Sequence, residues 1–251
     1  MISFNFFSKL LMFPLYYIFH YNIIFGWIHK NFIKVFRYKN LIFYLNNLKI
    51  PLPYYSSFIF KTYELNDRVL LERNLIRKHK CIIIGGGIGF VPAIVNKTTK
   101  NKIMIIEINK SILGNLKRNL KKNQIKFQIF NCNLTLNNKG KQNYYYSNQN
   151  FLATSMYRKS NQKYKLKNLI YSKVKNINKF NTLVIDGEGV EKHYIENLHV
   201  LKKIKYIFFE FHNDIFSSVE RKIIFDKLNK QGFFLKDSFV NSYYFIKSRD
   251  K

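Results

Sequence analysis

Residues 80–95, KCIIIGGGIGFVPAIV, limit what this 251-residue chain can fold into more than any other stretch. Cys81, Ile82, Ile83 and Ile84 read as a short buried strand, since four apolar residues in a row leave no face for water. Gly85, Gly86, Gly87 and Gly89 then make a turn, and the apolar residues from Ile88 to Val95 can begin a helix. Strand, glycine turn and helix in succession is how an α/β chain cradles a nucleotide-like ligand.

The same alternation runs on both sides of this stretch. Residues 63–79 place Leu65, Val69, Leu71, Leu75 and Ile76 near helical spacing, which predicts a helix leading into the first strand. Strands are expected at 102–108, 126–131, 181–186 and 206–211. Helices are expected at 110–123, at about 190–198 and at 218–231. In the first of these helices Ile112, Leu113, Leu116 and Leu120 face inward. The closing GFFLKDSFVNSYYFIK reads as a hairpin. Alternating βαβ units imply an α/β chain with a Rossmann-like, mostly parallel seven-stranded sheet. Helices lie on both of its faces and an antiparallel strand at its C-terminal end. Residues 137–172, polar and rich in Tyr and Asn, break the pattern. A connection of that length is expected to be functional or partly β.

Residues 1–60 read as an aromatic-rich N-terminal extension, with 37–60 extended against the main domain, and 61–251 as the domain itself. From Leu10 to Trp27 there is no Lys, Arg, Asp or Glu, which is the lower edge of a membrane span. Pro14, His20 and Asn22 interrupt it, and no small-residue cleavage site follows. The expectation is a helix packed on the domain or lying on a membrane, with peripheral contact through residues 1–30; a spanning helix is the alternative. The 43 Lys and Arg against 14 Asp and Glu give a net charge of +29. Nucleic-acid or lipid binding is one reading of that charge. The abundance of Lys, Asn, Ile, Phe and Tyr, all encoded by AT-rich codons, is the preferred one. Cys81 and Cys132 fall in or beside buried strands, and no zinc spacing exists; two buried thiols suit a reducing cytoplasm.

The dinucleotide fingerprint G-x-G-x-x-G fails in both registers, at Phe90 and at Ile88. The pattern present is Gly85-x-Gly87-x-Gly89, the glycine turn of S-adenosylmethionine-dependent methyltransferases. It lets the backbone pass close under a ligand without a pyrophosphate. Glu107, 22 positions after Gly85 at the end of the next strand, can accept both ribose hydroxyls. Asn133, in the turn after Phe130, completes the expected cofactor set of Gly85, Gly86, Gly87, Gly89, Glu107 and Asn133.

Four segments resemble the FkbM-type methyltransferases: YELNDRVLLERNLI with Glu64 and Glu72, IIIGGGIGFV, FLATSMY at 151–157, and FNTLVIDGEGVEKHYIENL. The last carries the specific part, Asp186, Glu188, Gly189 and Glu191; the later IFFEFH adds Glu210 and His212. The resemblance spans roughly residues 60–245. It implies a class I methyltransferase fold, S-adenosylmethionine as cofactor, and O-methylation of a hydroxyl on a saccharide or small metabolite. The family carries an acid two residues before the first glycine, where this chain has Ile83. That puts the anchoring of the cofactor's methionine end in doubt unless another carboxylate, Glu64 or Glu72, replaces it.

Methyl transfer to a hydroxyl needs the oxygen held near the methyl group and its proton removed. Asp186 closes a core strand and Glu188 follows it, so either can orient or deprotonate the acceptor. His212 is a candidate general base, or a loop histidine bonded to backbone. Glu191 reads as a first-turn cap of its helix. The acids could also hold a divalent ion that orients a diol, but no ligand set is assigned from spacing. Two further functions compete with the O-methyltransferase. A non-catalytic or membrane-associated binding protein would have a degenerate cofactor site. An RNA methyltransferase would want N-P-P-Y or D-P-P-Y where DGEG stands, so nucleic acid is not favoured as a partner.

Overall fold

In the computed structural model, which describes residues 22–46, 48–136, 142–145, 163–187, 189–212 and 215–248, the chain enters on α1 (Ile23–Ile28). Asn22 caps this helix through its side-chain oxygen, and one π-helical turn (His29–Ile33) extends it. A hairpin follows, β1 (Val35–Tyr38) against β2 (Leu41–Tyr44), then a 3-10 turn (Leu52–Tyr55), α2 (Ser56–Ile59) and α3 (Leu65–Asn74). The core alternation is β3 (Cys81–Ile84), α4 (Phe90–Thr99), β4 (Ile103–Ile106), α5 (Leu113–Lys122) and β5 (Phe127–Phe130). An insertion comes next. It contains β6 (Asn133–Thr135) and β9 (Asn168–Ile170), paired in parallel, and the hairpin of β7 (Gln142–Tyr145) with β8 (Lys163–Leu166). The chain returns through β10 (Thr182–Ile185), α6 (Glu191–Glu196), β11 (Tyr206–Glu210), α7 (Ser218–Lys230), β12 (Phe233–Phe239) and β13 (Ser242–Lys247). A capping box fixes the start of α7: the Ser217 hydroxyl accepts from Glu220 N–H, and the Glu220 carboxylate accepts from Ser217 N–H.

The seven core strands lie in the order β12-β13-β11-β10-β3-β4-β5. The run β11-β10-β3-β4-β5 is parallel, while β13 runs against both β11 and β12. This is the Rossmann-like, mostly parallel seven-stranded sheet that the alternation implies, with the last strand inserted antiparallel. Strands β3, β4 and β10 are buried at every position, as strands covered on both faces must be.

Side chains alternate between two cores. Ile83, Ile105, Val184 and Phe208 pack on the face covered by α3, α4 and α5. Ile82, Met104, Leu183 and Phe209 pack on the face of α6 and α7. The first core takes in Phe36, Phe43, Tyr55 and Phe58, so the described residues before 61 share a hydrophobic cluster with the sheet. Segment 37–60, expected as an extended strand or loop, is in its described residues most of a hairpin plus helical turns. Asn119 of α5 and Asn123 at its C-cap hold that hairpin. Asn119 bonds Tyr44 N–H and C=O, and Asn123 bonds Ile42 N–H and C=O, so amide side chains at i and i+4 take the place of a neighbouring strand.

Helix α3 stops at Asn74, short of the expected 79. Leu75 is extended, and the Nδ1 of His79 accepts the Ile76 N–H, so Ile76 turns out to solvent instead of inward. The parts of the 137–172 insertion within the described residues are β and 3-10 structure; FLATSMY and the leader before Asn22 lie outside them. Among the described residues no helix is long and apolar enough to cross a membrane.

Candidate active site

Register builds the site. Ile84 pairs with both Ile106 and Ile185, and Ile185 pairs with Phe209. The residues that follow these partners, Gly85, Glu107, Asp186 and Glu210, therefore emerge side by side at the carboxyl edge of the parallel strands. That edge is where α/β sheets bind ligands. A cleft opens there, lined by Gly85, Gly87, Glu107, Asn133, Asp186 and Glu64, with apolar walls from Ile84, Ile106 and Val190 among others.

Gly85 has φ +92°, and a Cβ on it would stand 1.9 Å from the Asp186 carbonyl oxygen, so this position admits only glycine. The turn is tied down by Glu107, which is 5% exposed. Its Oε2 accepts the N–H groups of Gly86 (2.8 Å) and Gly87 (3.1 Å), and its Oε1 accepts that of Asn109 (2.7 Å). Burial pushes the Glu107 carboxyl up, against the pull of these three donors. Three of about four acceptor sites on the carboxylate are taken. That leaves room for about one further donor, where two are expected to bind.

The second half of the site is a nest of carboxylates. Glu64 stands at the N-cap of α3 with φ 50°, a left-handed conformation that marks strain at a non-glycine residue. One turn on, Asp67 is 5% exposed and accepts the Ser242 hydroxyl at 2.6 Å. Donor oxygens of Glu64, Asp67, Asp186 and Glu210 all lie within 4.8 Å of one another. His212 joins them, its Nε2 3.3 Å from Asp186 Oδ1 and 3.9 Å from Glu191 Oε1. Burial, then mutual repulsion, raises the Glu64 and Asp67 carboxyls well above the usual carboxylate range. The same causes bring Glu210 up to about 7.

The structure gathers Asp186 and His212, with Gly85, Gly87, Glu107 and Asn133 around the adjoining cleft. Glu188 lies outside the described residues. Gly86 and Gly89 are not on the cleft: Gly86 N–H is spent on Glu107, and Gly89 faces Leu116 and Leu120 of α5. Glu191 stands in the first turn of α6, as expected, but without contact to solvent. It is fully buried, and its Oε1 accepts Gly187 N–H at 3.0 Å. Of the two carboxylates weighed against Ile83, Glu64 is on the cleft, whereas Glu72 pairs with Lys39 and Tyr38. Ile83 itself is 1% exposed and faces the α3–α4–α5 core. Asp67 was missed, although its position was readable: it precedes Leu70 and Leu71 by three and four residues, on their buried helix face.

A glycine turn and an acid on neighbouring strand ends of a sheet in this order define a Rossmann-like ligand-binding chain. No protein-family model matches it, and no curated protein matches it. Several solved structures are similar in shape. A methyltransferase from Pyrococcus furiosus gives a TM-score of 0.46 at 13% identity, over 90% of this chain and 96% of that one. A precorrin-6y C5,15-methyltransferase from Geobacter metallireducens gives 0.44 at 15%, over 72% and 87%. An S-adenosylmethionine-dependent methyltransferase from Aquifex aeolicus gives 0.44 at 14%, over 75% and 93%.

Proposed function

We propose that the chain is an S-adenosylmethionine-dependent methyltransferase, of the FkbM type its motifs resemble, acting on a hydroxyl of a saccharide or small metabolite. One observation carries this reading: Gly85, Gly87, Glu107, Asn133 and Asp186, named from motif positions, line a single cleft at the carboxyl edge of the sheet. In this reading Glu107 takes a ribose hydroxyl, and the backbone at Gly87 leaves room for the cofactor. Glu64 and Asp186 face the cationic methionine end, the task the family gives to the acid that Ile83 replaces.

The acceptor hydroxyl would stand beside Asp186 and His212. S-adenosylmethionine, when bound, would supply the methyl carbon to that hydroxyl's oxygen and keep the electron pair of the broken methyl–sulfur bond on sulfur. The Asp186–His212 pair takes the proton. The competing non-catalytic reading requires a cleft filled at the methionine end by apolar side chains. Ile83 points into the core instead, and the cleft carries Glu64 there.

Calorimetric titration with S-adenosylhomocysteine, then incubation with methyl-labelled S-adenosylmethionine and a panel of saccharides and hydroxylated metabolites, tests the proposal. Cofactor binding and label in an alkali-stable ether are expected. A folded chain that binds neither form of the cofactor overturns it.

A further inference from the structure

The strangest feature of a chain with net charge +29 is where its acids are. Four carboxylates, Glu64, Asp67, Asp186 and Glu210, offer oxygens within 4.8 Å of one another, yet among the described residues no Lys or Arg pairs with any of them. Asn66 and Ser242 each donate one hydrogen bond to the group. Asp67, 5% exposed, keeps Oδ2 without a hydrogen-bond partner among the described residues. The fully buried Glu191, whose Oε1 lies 3.9 Å from His212 Nε2, likewise keeps Oε2 without one. Carboxylates crowded and desolvated in this way are costly unless a positive charge joins them. Among the described residues no Lys or Arg supplies it.

From this geometry we infer that Asp186, Glu210 and His212 bind a divalent cation, with Asp67 and Glu64 completing or orienting its carboxylate shell. Donor atoms of the first three lie within 4.8 Å of one another, as atoms sharing one ion at bond lengths of about 2.0–2.6 Å must. Two or more carboxylates with one imidazole and no thiol suit an ion of the Mn²⁺ or Fe²⁺ kind. The ion's use rests on the methyltransferase reading. An acceptor hydroxyl coordinated to it loses its proton to solvent more readily, and the resulting oxygen takes the methyl group as the methyl–sulfur bond breaks. Asp186 and His212 then act as ligands rather than as the base.

The test uses the full chain, stripped with EDTA, freed of chelator and titrated with MnCl₂. Free Mn²⁺ is followed by electron paramagnetic resonance, and thermal melting is recorded in parallel. One ion per chain and a rise in melting temperature are expected. Glu210→Gln and His212→Gln should each weaken binding at least tenfold. Glu210→Gln should melt no lower than the parent without metal, because it removes a repelling charge; that result separates loss of a ligand from loss of the fold. A folded parent that takes up no Mn²⁺ at millimolar concentration, or variants that bind as the parent does, overturn the inference. Titration with S-adenosylhomocysteine in EDTA keeps the two readings apart. Cofactor binding without Mn²⁺ binding sinks the ion site alone, and the reverse sinks the methyltransferase alone.

Discussion

Gly85 and Gly87 differ in what a side chain would meet, and the difference separates folding from binding. A Cβ at Gly85 collides with the Asp186 carbonyl across the β3–β10 pair, so Gly85→Ala is expected to lower stability by several kcal/mol with or without ligand. A Cβ at Gly87 meets only the Tyr63 hydroxyl at 3.6 Å, on the open side of the turn. Gly87→Val should therefore fold, at a cost of about 1–2 kcal/mol for its positive φ, and lose cofactor affinity. Calorimetry that finds unchanged affinity in Gly87→Val would remove the turn from the site. Ile83 gives the opposite lesson. Its motif position suggests a weakened anchor that Asp could restore, but alternation along β3 turns it into the core. Ile83→Asp would bury an unpaired carboxylate and is expected to destabilise by about 3–5 kcal/mol without tightening cofactor binding. Glu64→Gln should instead weaken cofactor binding in a chain that melts at or above the parent's temperature. Tighter binding in Ile83→Asp would show that the methionine end does reach β3.

The strand that follows α3 depends on how that helix ends, and the end is set by His79. Its ring is fully buried, accepts Ile76 N–H at 2.9 Å, and stands edge-on to Tyr206 with centroids 4.5 Å apart. Burial, with Lys78 adding to it, holds the imidazole down at about 4. Well above pH 6.5, from about pH 7.5, it is neutral in both states and contributes no pH dependence. As pH falls from 6.5 towards 4, the unfolded chain takes up a proton that the native one refuses, and up to about 3 kcal/mol of stability is lost. His79→Asn keeps an acceptor near Nδ1 and removes the titration. Urea unfolding of both proteins between pH 7 and pH 4.5 should show the parent's advantage over the variant shrinking at lower pH. Parallel profiles would mean that His79 takes a proton in the folded state as easily as in the unfolded one. Strands β3, β4 and β10 were legible because burial on both faces makes each an apolar run. The β1–β2 hairpin was not, since its pairing partners include side chains on α5, 75 and 81 residues away. The same distinction governs the site. Gly85, Glu107 and Asp186 each close or follow a strand and could be read in a row, whereas the contribution of α3, Glu64 and Asp67, exists only once the helix has packed.

Across the whole molecule the charges are sorted. Six of the 14 acids, Glu64, Asp67, Glu107, Asp186, Glu191 and Glu210, stand at the carboxyl edge of the sheet, while Glu72, Glu196 and Glu220 pair with lysines elsewhere. At the amino end, α1 and the turn after it expose Ile23, Ile24, Trp27, Phe32 and Ile33, with Lys30 and Lys34 exposed beside them. Apolar and aromatic side chains flanked by lysines on a strongly basic protein match an anionic lipid surface. In such a contact the rings and aliphatic groups would enter the headgroup region while the lysines would meet acidic lipid, each worth about 1 kcal/mol near the surface. Trp27 is the only tryptophan of the chain, so its fluorescence reports on this face alone. Vesicles containing phosphatidylserine are expected to shift Trp27 emission to the blue and to sediment the protein. Neutral phosphatidylcholine vesicles should do neither, and raising the salt from 50 to about 500 mM should reverse much of the binding, because screening shortens the reach of the lysines. Trp27→Ala should cut the sedimented fraction without lowering cofactor affinity, since Trp27 is not among the residues lining the cleft. Sedimentation with acidic vesicles that leaves Trp27 emission unmoved would assign the attraction to the lysine surface at large and remove α1 from it.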